Sequence, residues 1–114
     1  MMSPEEVHNA LEVELEQLES LVLEVRHAGV EAAKAEVSYK VEHSKARLTV
    51  KATALEKLTV SEVDAEATIH CEELFLTHLV AQNAMTTIRE ALRASQARLD
   101  GLRTLMASFR QAGG

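Results

Sequence analysis

Between residue 30 and residue 100 the chain contains neither glycine nor proline. Its one proline is Pro4, and its glycines are Gly29, Gly101, Gly113 and Gly114. A β-sandwich or small barrel needs a turn signal every 8–12 residues or so, which excludes those folds. The chain is long enough for one domain, at 114 residues, and 46% of it is apolar, as folding requires. No apolar run approaches the ~20 residues of a membrane span, so no membrane partner is expected. The N-terminal stretch is acidic and does not read as a signal peptide, so the expected location is the cytoplasm. Cys71 stands alone, which leaves no disulfide framework or zinc cluster within one chain. A net charge of −6 argues against wholesale coating of nucleic acid.

The expected fold is all-α: a long antiparallel helical hairpin, with a helix over about residues 4–57, a bend at about 58–60 and a helix over about 61–111. Ser3-Pro4-Glu5-Glu6 is a helix start, with serine at the N-cap, proline at the first helical position and acids in the first turn. Ser3 and Glu6 have capping-box spacing, and Ser61 with Asp64 resembles a second box. Leu11, Leu15, Leu18, Val22 and Val25 step by four and three, the mark of a heptad seam. Gly29 takes the next seam position. Ala33, Val37, Val41, Leu48, Ala52 and Leu55 continue it with successive steps of four, which suggest a stutter. In the second helix Met85, Ile88, Leu92, Ser95, Leu99, Leu102, Met106 and Phe109 alternate three and four throughout. Arg110 suits the negative helix end, and Gly113 and Gly114 are expected to stop it.

Residues 37–50 carry a competing signal. Val37 to Val41 and Leu48 to Lys51 alternate at period two, like the strands of a β-hairpin around Glu42–Arg47. That turn segment has none of the glycine, proline or asparagine that hairpin turns use, which favours the helix.

Charge is laid out in blocks. Glu5 to Glu24 holds seven acids and no lysine or arginine, and Arg89 to Arg110 holds five arginines against two acids. Lys34 to Lys57 holds six bases against three acids, and Glu62 to Glu73 five acids and no lysine or arginine. Folding back near Leu58 or Thr59 sets each block against its opposite. Exposed pairs contribute only about 0–1 kcal/mol each, so the layout selects orientation more than stability. Two helices make a thin core, and the off-seam residues Leu21, Leu23, Leu76, Val80 and Leu105 need cover. A homodimer forming a four-helix bundle is therefore expected, with Met85, Ile88, Leu92, Leu99, Leu102 and Met106 in the oligomer interface.

Five histidines invite a search for metal chemistry. Glu5/His8 and Glu24/His27 have the Glu-x-x-His spacing of di-iron bundles, but no core glutamates complete such a set. His43, His70 and Cys71 would lie within about a turn of one another across the bend, yet a structural zinc site takes four ligands. The plainer reading is that Cys71 is a small buried hydrophobe and His78, on the seam between Leu74 and Ala81, a hydrogen-bonded core histidine. No nucleophile elbow, phosphate loop or zinc-protease motif is present, so neither catalysis nor a cofactor is expected. Arg89 and Arg93 share a helix face and are candidates for phosphate contact. The plainer reading pairs them with the acidic first helix. Glu12, Glu16 and Glu19 form an acidic face able to meet a basic partner.

Ala35-Glu36-Val37-Ser38-Tyr39-Lys40-Val41 with Ser44-Lys45-Ala46-Arg47-Leu48, and Ala91-Leu92-Arg93-Ala94 with Leu99-Asp100-Gly101-Leu102-Arg103-Thr104-Leu105, together resemble small helical proteins encoded by tailed bacteriophages, especially those of actinobacteria. The resemblance runs from about residue 30 onward. It implies a coiled-coil assembly protein, accessory by association to phage DNA recombination or replication, working in the host cytoplasm with one phage or host protein partner. The alternative expectation is a small acidic inhibitor of a host or defence protein, such as a CRISPR nuclease.

Overall fold

The computed structural model describes residues 1–113, and every regular element among them is helical. The chain is a helical hairpin built from α1 (Pro4–Thr53), α2 (Val60–His70) and α3 (Glu72–Gly113). Residues 37–50 are helix, so the β-hairpin alternative is set aside. Tyr39, His43, Ala46 and Val50 recur at helical spacing on a covered face, and that burial outweighs the period-two alternation.

The α1 N-cap is as the sequence indicates. The Ser3 hydroxyl accepts from the Glu6 backbone N–H at 3.2 Å and donates to the Glu6 carboxylate at 3.0 Å. The second start lies two residues before the expected Ser61/Asp64 box. Thr59, in extended conformation, caps α2 by accepting from the Glu62 N–H at 3.2 Å and donating to its carboxylate at 3.0 Å. The first helix also stops earlier than expected, at Thr53 rather than about Lys57. Thr49 and Thr53 turn their hydroxyls back onto the carbonyls of Lys45 and Thr49, a competition that weakens a helix end. At the other end Gly113 remains helical, so it does not act as the stop, and Gly114 lies outside the described residues.

The expected second helix is interrupted at Cys71. Its N–H is shared between the carbonyls of Ala67 and Thr68, and its own carbonyl accepts from Phe75 at 2.8 Å to begin α3. Val63, Ala67 and Cys71 are buried at two successive steps of four. Such steps carry a seam off its partner unless the helix unwinds, and the interruption falls at the second of them.

Two compact units are resolved. Unit 1 comprises Met1–His27 with Thr86–Gly114, and unit 2 comprises Ala28–Met85. In unit 2 the partners run antiparallel. Gly29 lies against Met85, Tyr39 against Phe75 and His78, His43 against Thr68, and Arg47 against Asp64. Numbers rise on α1 as they fall on α2 and α3. In unit 1 α1 meets α3 through Glu14, Ser95 and Arg98.

The seam of α1 is displaced from the one its leucines suggest. Its covered positions include Val7, Leu11, Glu14, Leu18, Leu21, Val25, Ala28, Ala32, Ala35, Tyr39, His43, Ala46 and Val50. Leu11, Leu18 and Val25 are shared with the expected set, and Val22 and Gly29 are half-buried at its margin. Leu15, Ala33, Val37, Val41, Leu48, Ala52 and Leu55 are exposed. From residue 28 the seam runs on Ala28, Ala32 and Ala35, where Gly29, Ala33 and Val37 were expected. The α3 seam follows the sequence reading throughout, with Ser95 and Leu99 buried and Met85, Ile88, Leu92, Leu102, Met106 and Phe109 half-buried.

Candidate functional site

In unit 1 the seam contains a buried polar contact. Glu14 stands seven residues after Val7 and seven before Leu21, which turns it toward α3. Its Oε1 accepts from Ser95 Oγ at 2.6 Å and from Arg98 Nε at 3.1 Å. Ser95 is 0% exposed and Glu14 8%. Two donors thus converge on one oxygen of a carboxylate withdrawn from water. Sequence reasoning placed Ser95 on the seam and missed Glu14, although its heptad relation to Val7 and Leu21 was present.

In unit 2 the corresponding polar and aromatic cluster surrounds Tyr39. Its ring stacks on His78 at 5.6 Å with planes 6° apart, and meets His43 at 5.3 Å and Phe75 at 5.2 Å. His43 Nε2 approaches the Thr68 hydroxyl at 3.4 Å. His78 is on the seam as expected but not hydrogen-bonded as expected: its Nδ1 is buried without a partner. Lys40 Nζ reaches Glu36 Oε1 at 2.8 Å, and this ammonium holds the Glu36 carboxyl below the usual carboxylate range, with His78 adding a smaller effect of the same sign.

The charge blocks make few contacts between helices. Glu14–Arg98 in unit 1 and Arg47–Asp64 in unit 2 are the two such pairs among the described residues. Arg47 Nε and Asp64 Oδ1 approach to 3.1 Å without hydrogen-bond alignment. The remaining pairs lie within one helix: His8–Glu12, Lys34–Glu31, Lys40–Glu36, Lys45–Glu42 and Arg103–Asp100. Arg89 and Arg93 are exposed and enter no ion pair among the described residues, so their expected pairing with the acidic helix is not formed. Long exposed side chains gain too little from one another to be held in a single geometry. Glu12, Glu16 and Glu19 are likewise exposed on one face of α1.

Met85, Ile88, Leu92, Leu99, Leu102 and Met106 are placed on the α3 face that is covered within the chain. Leu23, Leu76, Val80 and Leu105, the off-seam residues said to need cover, are exposed, whereas Leu21 belongs to the seam. Val13, Val30, Val37, Val41, Leu48, Ile69 and Leu79 are also exposed. An open groove of about 430 Å³ lies beside part of this surface, lined by Val37, Ser38, Val41, Glu42 and Leu74. His43, His70 and Cys71 do not converge. Cys71 is buried, His70 is exposed, and no three metal-ligating side chains gather among the described residues. His8 turns to Glu12 rather than to Glu5. No helix among the described residues is long and apolar enough to cross a membrane.

Comparisons with protein-family models, with curated proteins and with solved structures returned no match.

Proposed function

We propose that this chain is a non-enzymatic interaction protein that works by presenting helical faces to macromolecular partners. The observation that carries this reading is the row of large apolar side chains left uncovered along α1. Val30, Val37, Val41 and Leu48 are 52%, 61%, 47% and 69% exposed. Scattered surface hydrophobes are ordinary, but a contiguous row on a charged surface marks a binding face. A tagged chain and a Val30→Lys/Val37→Lys/Leu48→Lys variant, passed over lysate with and without nuclease, test it. A protein retained by the first and lost by the second is the expected result. Identical capture by both overturns the reading.

Within that reading, the narrower proposal of a phage-type accessory to DNA recombination or replication draws on Arg89 and Arg93. They are four residues apart on one face and free to contact phosphates. Fluorescence anisotropy with single- and double-stranded DNA across a salt series tests it, with binding expected to fall in Arg89→Glu/Arg93→Glu. Undiminished binding removes the arginines from the account. The second reading, an acidic inhibitor of a basic host protein, draws on the exposed Glu12, Glu16 and Glu19. It requires that reversal of those three charges abolish inhibition.

A further inference from the structure

Of the three helices, α2 is the one with least to hold it. It has 11 residues, and isolated helices shorter than about 12–15 residues are marginal in water. Val63 and Ala67 are its buried side chains, while its other large aliphatics, Val60 and Ile69, are exposed. It carries three acids and no lysine or arginine, and Glu62 and Glu66, four apart, repel along one face. Its polar contacts with α1 are loose. Arg47 Nε and Asp64 Oδ1 approach to 3.1 Å without hydrogen-bond alignment. His43 Nε2 lies 3.4 Å from the Thr68 hydroxyl, which already donates to the Asp64 carbonyl at 2.8 Å. An open groove of about 370 Å³ borders the join, with Val50 and Thr53 on one side and Glu62, Glu66 and His70 on the other.

Both ends of α2 are loosely tied to the helices that flank it. Residues 54–59 are non-helical, and Leu58 is the one half-buried side chain among them. At Cys71 the helix is interrupted, its N–H divided between the carbonyls of Ala67 and Thr68. The first half of α3 is anchored differently. Tyr39 packs on Phe75 at 5.2 Å and on His78 at 5.6 Å, and Met85 lies against Gly29. Parts of a fold open with their own free energies, and a segment with few buried apolar contacts opens at the low end of the range.

We propose that α2 is a detachable strap: it leaves α1 as a unit while α3 stays on α1, turning about residues 54–59 and about Cys71. The pairs Arg47–Asp64 and His43–Thr68 set the levels of the two helices and place Ala46 and Val50 opposite α2. Release of the strap uncovers them. Cys71, the last buried residue of this cover, becomes accessible in the same event. The end of α1 is then bare on its inner face as well as on the outer one that carries Val41 and Leu48. The strap stands or falls independently of the interaction-protein reading.

Cys71 is the one cysteine of the chain, and it serves as the reporter. Labelling of the full chain with the thiol reagent DTNB is measured across a urea series below the unfolding transition, with circular dichroism following global unfolding. Labelling at low urea is expected to outrun global unfolding and to rise with urea much less steeply, because a strap exposes less surface than the whole chain. Val63→Ala is expected to speed low-urea labelling by about tenfold, since it weakens the strap's own burial. Leu99→Ala, buried in unit 1, is expected to lower the global midpoint and leave low-urea labelling unchanged. Hydrogen exchange at the amides of Ala67 to His70 is expected through the same opening, with the amides around Leu99 exchanging only on global unfolding. Labelling that follows the global urea slope throughout overturns the proposal, as does a rate that Leu99→Ala raises as much as Val63→Ala. Fast labelling with Ala67 to His70 as protected as Leu99 would show Cys71 opening alone, and overturns the strap as the unit.

Discussion

Ser95 of α3 donates a 2.6 Å hydrogen bond to the carboxylate of Glu14 on α1, and both side chains are buried. The contact joins residues far apart in sequence and allows one alignment of the two helices at that point. A slip by one residue would turn Glu14 away from Ser95 and leave a carboxylate against apolar side chains. Polar seam residues of this kind set register at some expense in stability.

Ser95→Ala removes one of the two donors to Glu14 and is expected to destabilise the fold by about 1–3 kcal/mol in denaturant unfolding. Adding Glu14→Leu to the same chain is expected to recover most of the loss, since an apolar pair of similar volume is tolerated in place of a buried charge. If the double variant is less stable than Ser95→Ala alone, the carboxylate contributes more than alignment.

Gly29 and Gly101 are helical and have no positive φ. A Cβ at Gly29 would meet only the flexible end of Met85, at 3.4 Å, and one at Gly101 would meet nothing within 4 Å. Gly29→Ala and Gly101→Ala are each expected to stabilise the chain by about 0.5–1 kcal/mol through reduced backbone entropy in the unfolded state. A rise in Tm for both is the check. A fall at Gly29 alone would show that Met85 cannot move aside.

Thr59, not Ser61, caps α2. Thr59→Ala is expected to lose about 1 kcal/mol and Ser61→Ala to stay within about 0.5 kcal/mol of the parent. Hydrogen exchange at the Glu62 amide should quicken in the first variant only. The reverse order would move the start of the helix to the position that its sequence first suggests.

Glu36 titrates below the ordinary carboxylate range because the Lys40 ammonium hydrogen-bonds to it and attracts its charge. A depressed carboxylate adds stability above its unfolded pKa, and that contribution is lost as pH falls through its folded value. Lys40→Met is expected to move the Glu36 pKa upward toward the usual value in a ¹³C NMR titration. The same substitution should flatten the acid limb of the stability profile. An unmoved Glu36 would assign the depression to His78.

Which features of the molecule were legible in sequence follows from how local their causes are. The Ser3–Glu6 cap, the all-helical character and the α3 seam depend on residues a few positions apart, and the structure bears them out. The α1 seam was misplaced because α1 has two apolar stripes. The aliphatic stripe of Val37, Val41 and Leu48 faces out, while Tyr39, His43, Ala46 and Val50 face in over the same span. Counting hydrophobicity along one helix selects the larger side chains. A second helix selects the stripe whose side chains find partners on it, as Tyr39 does with Phe75 and His78. The charge blocks announced an antiparallel fold but not their partners, since exposed ion pairs are too weak to hold long side chains in place.

By itself the sequence determined that this chain is helical, that it turns back near its middle and that one face of α3 is covered, because propensity, capping and period are written in neighbouring residues. Only the tertiary structure decided which stripe of α1 is inside, that a glutamate belongs to that stripe and that α2 breaks from α3 at Cys71. Those outcomes depend on what stands opposite: Glu14 is tolerable only where Ser95 and Arg98 meet it. Burial is a property of two surfaces together, and a single helix does not contain the second.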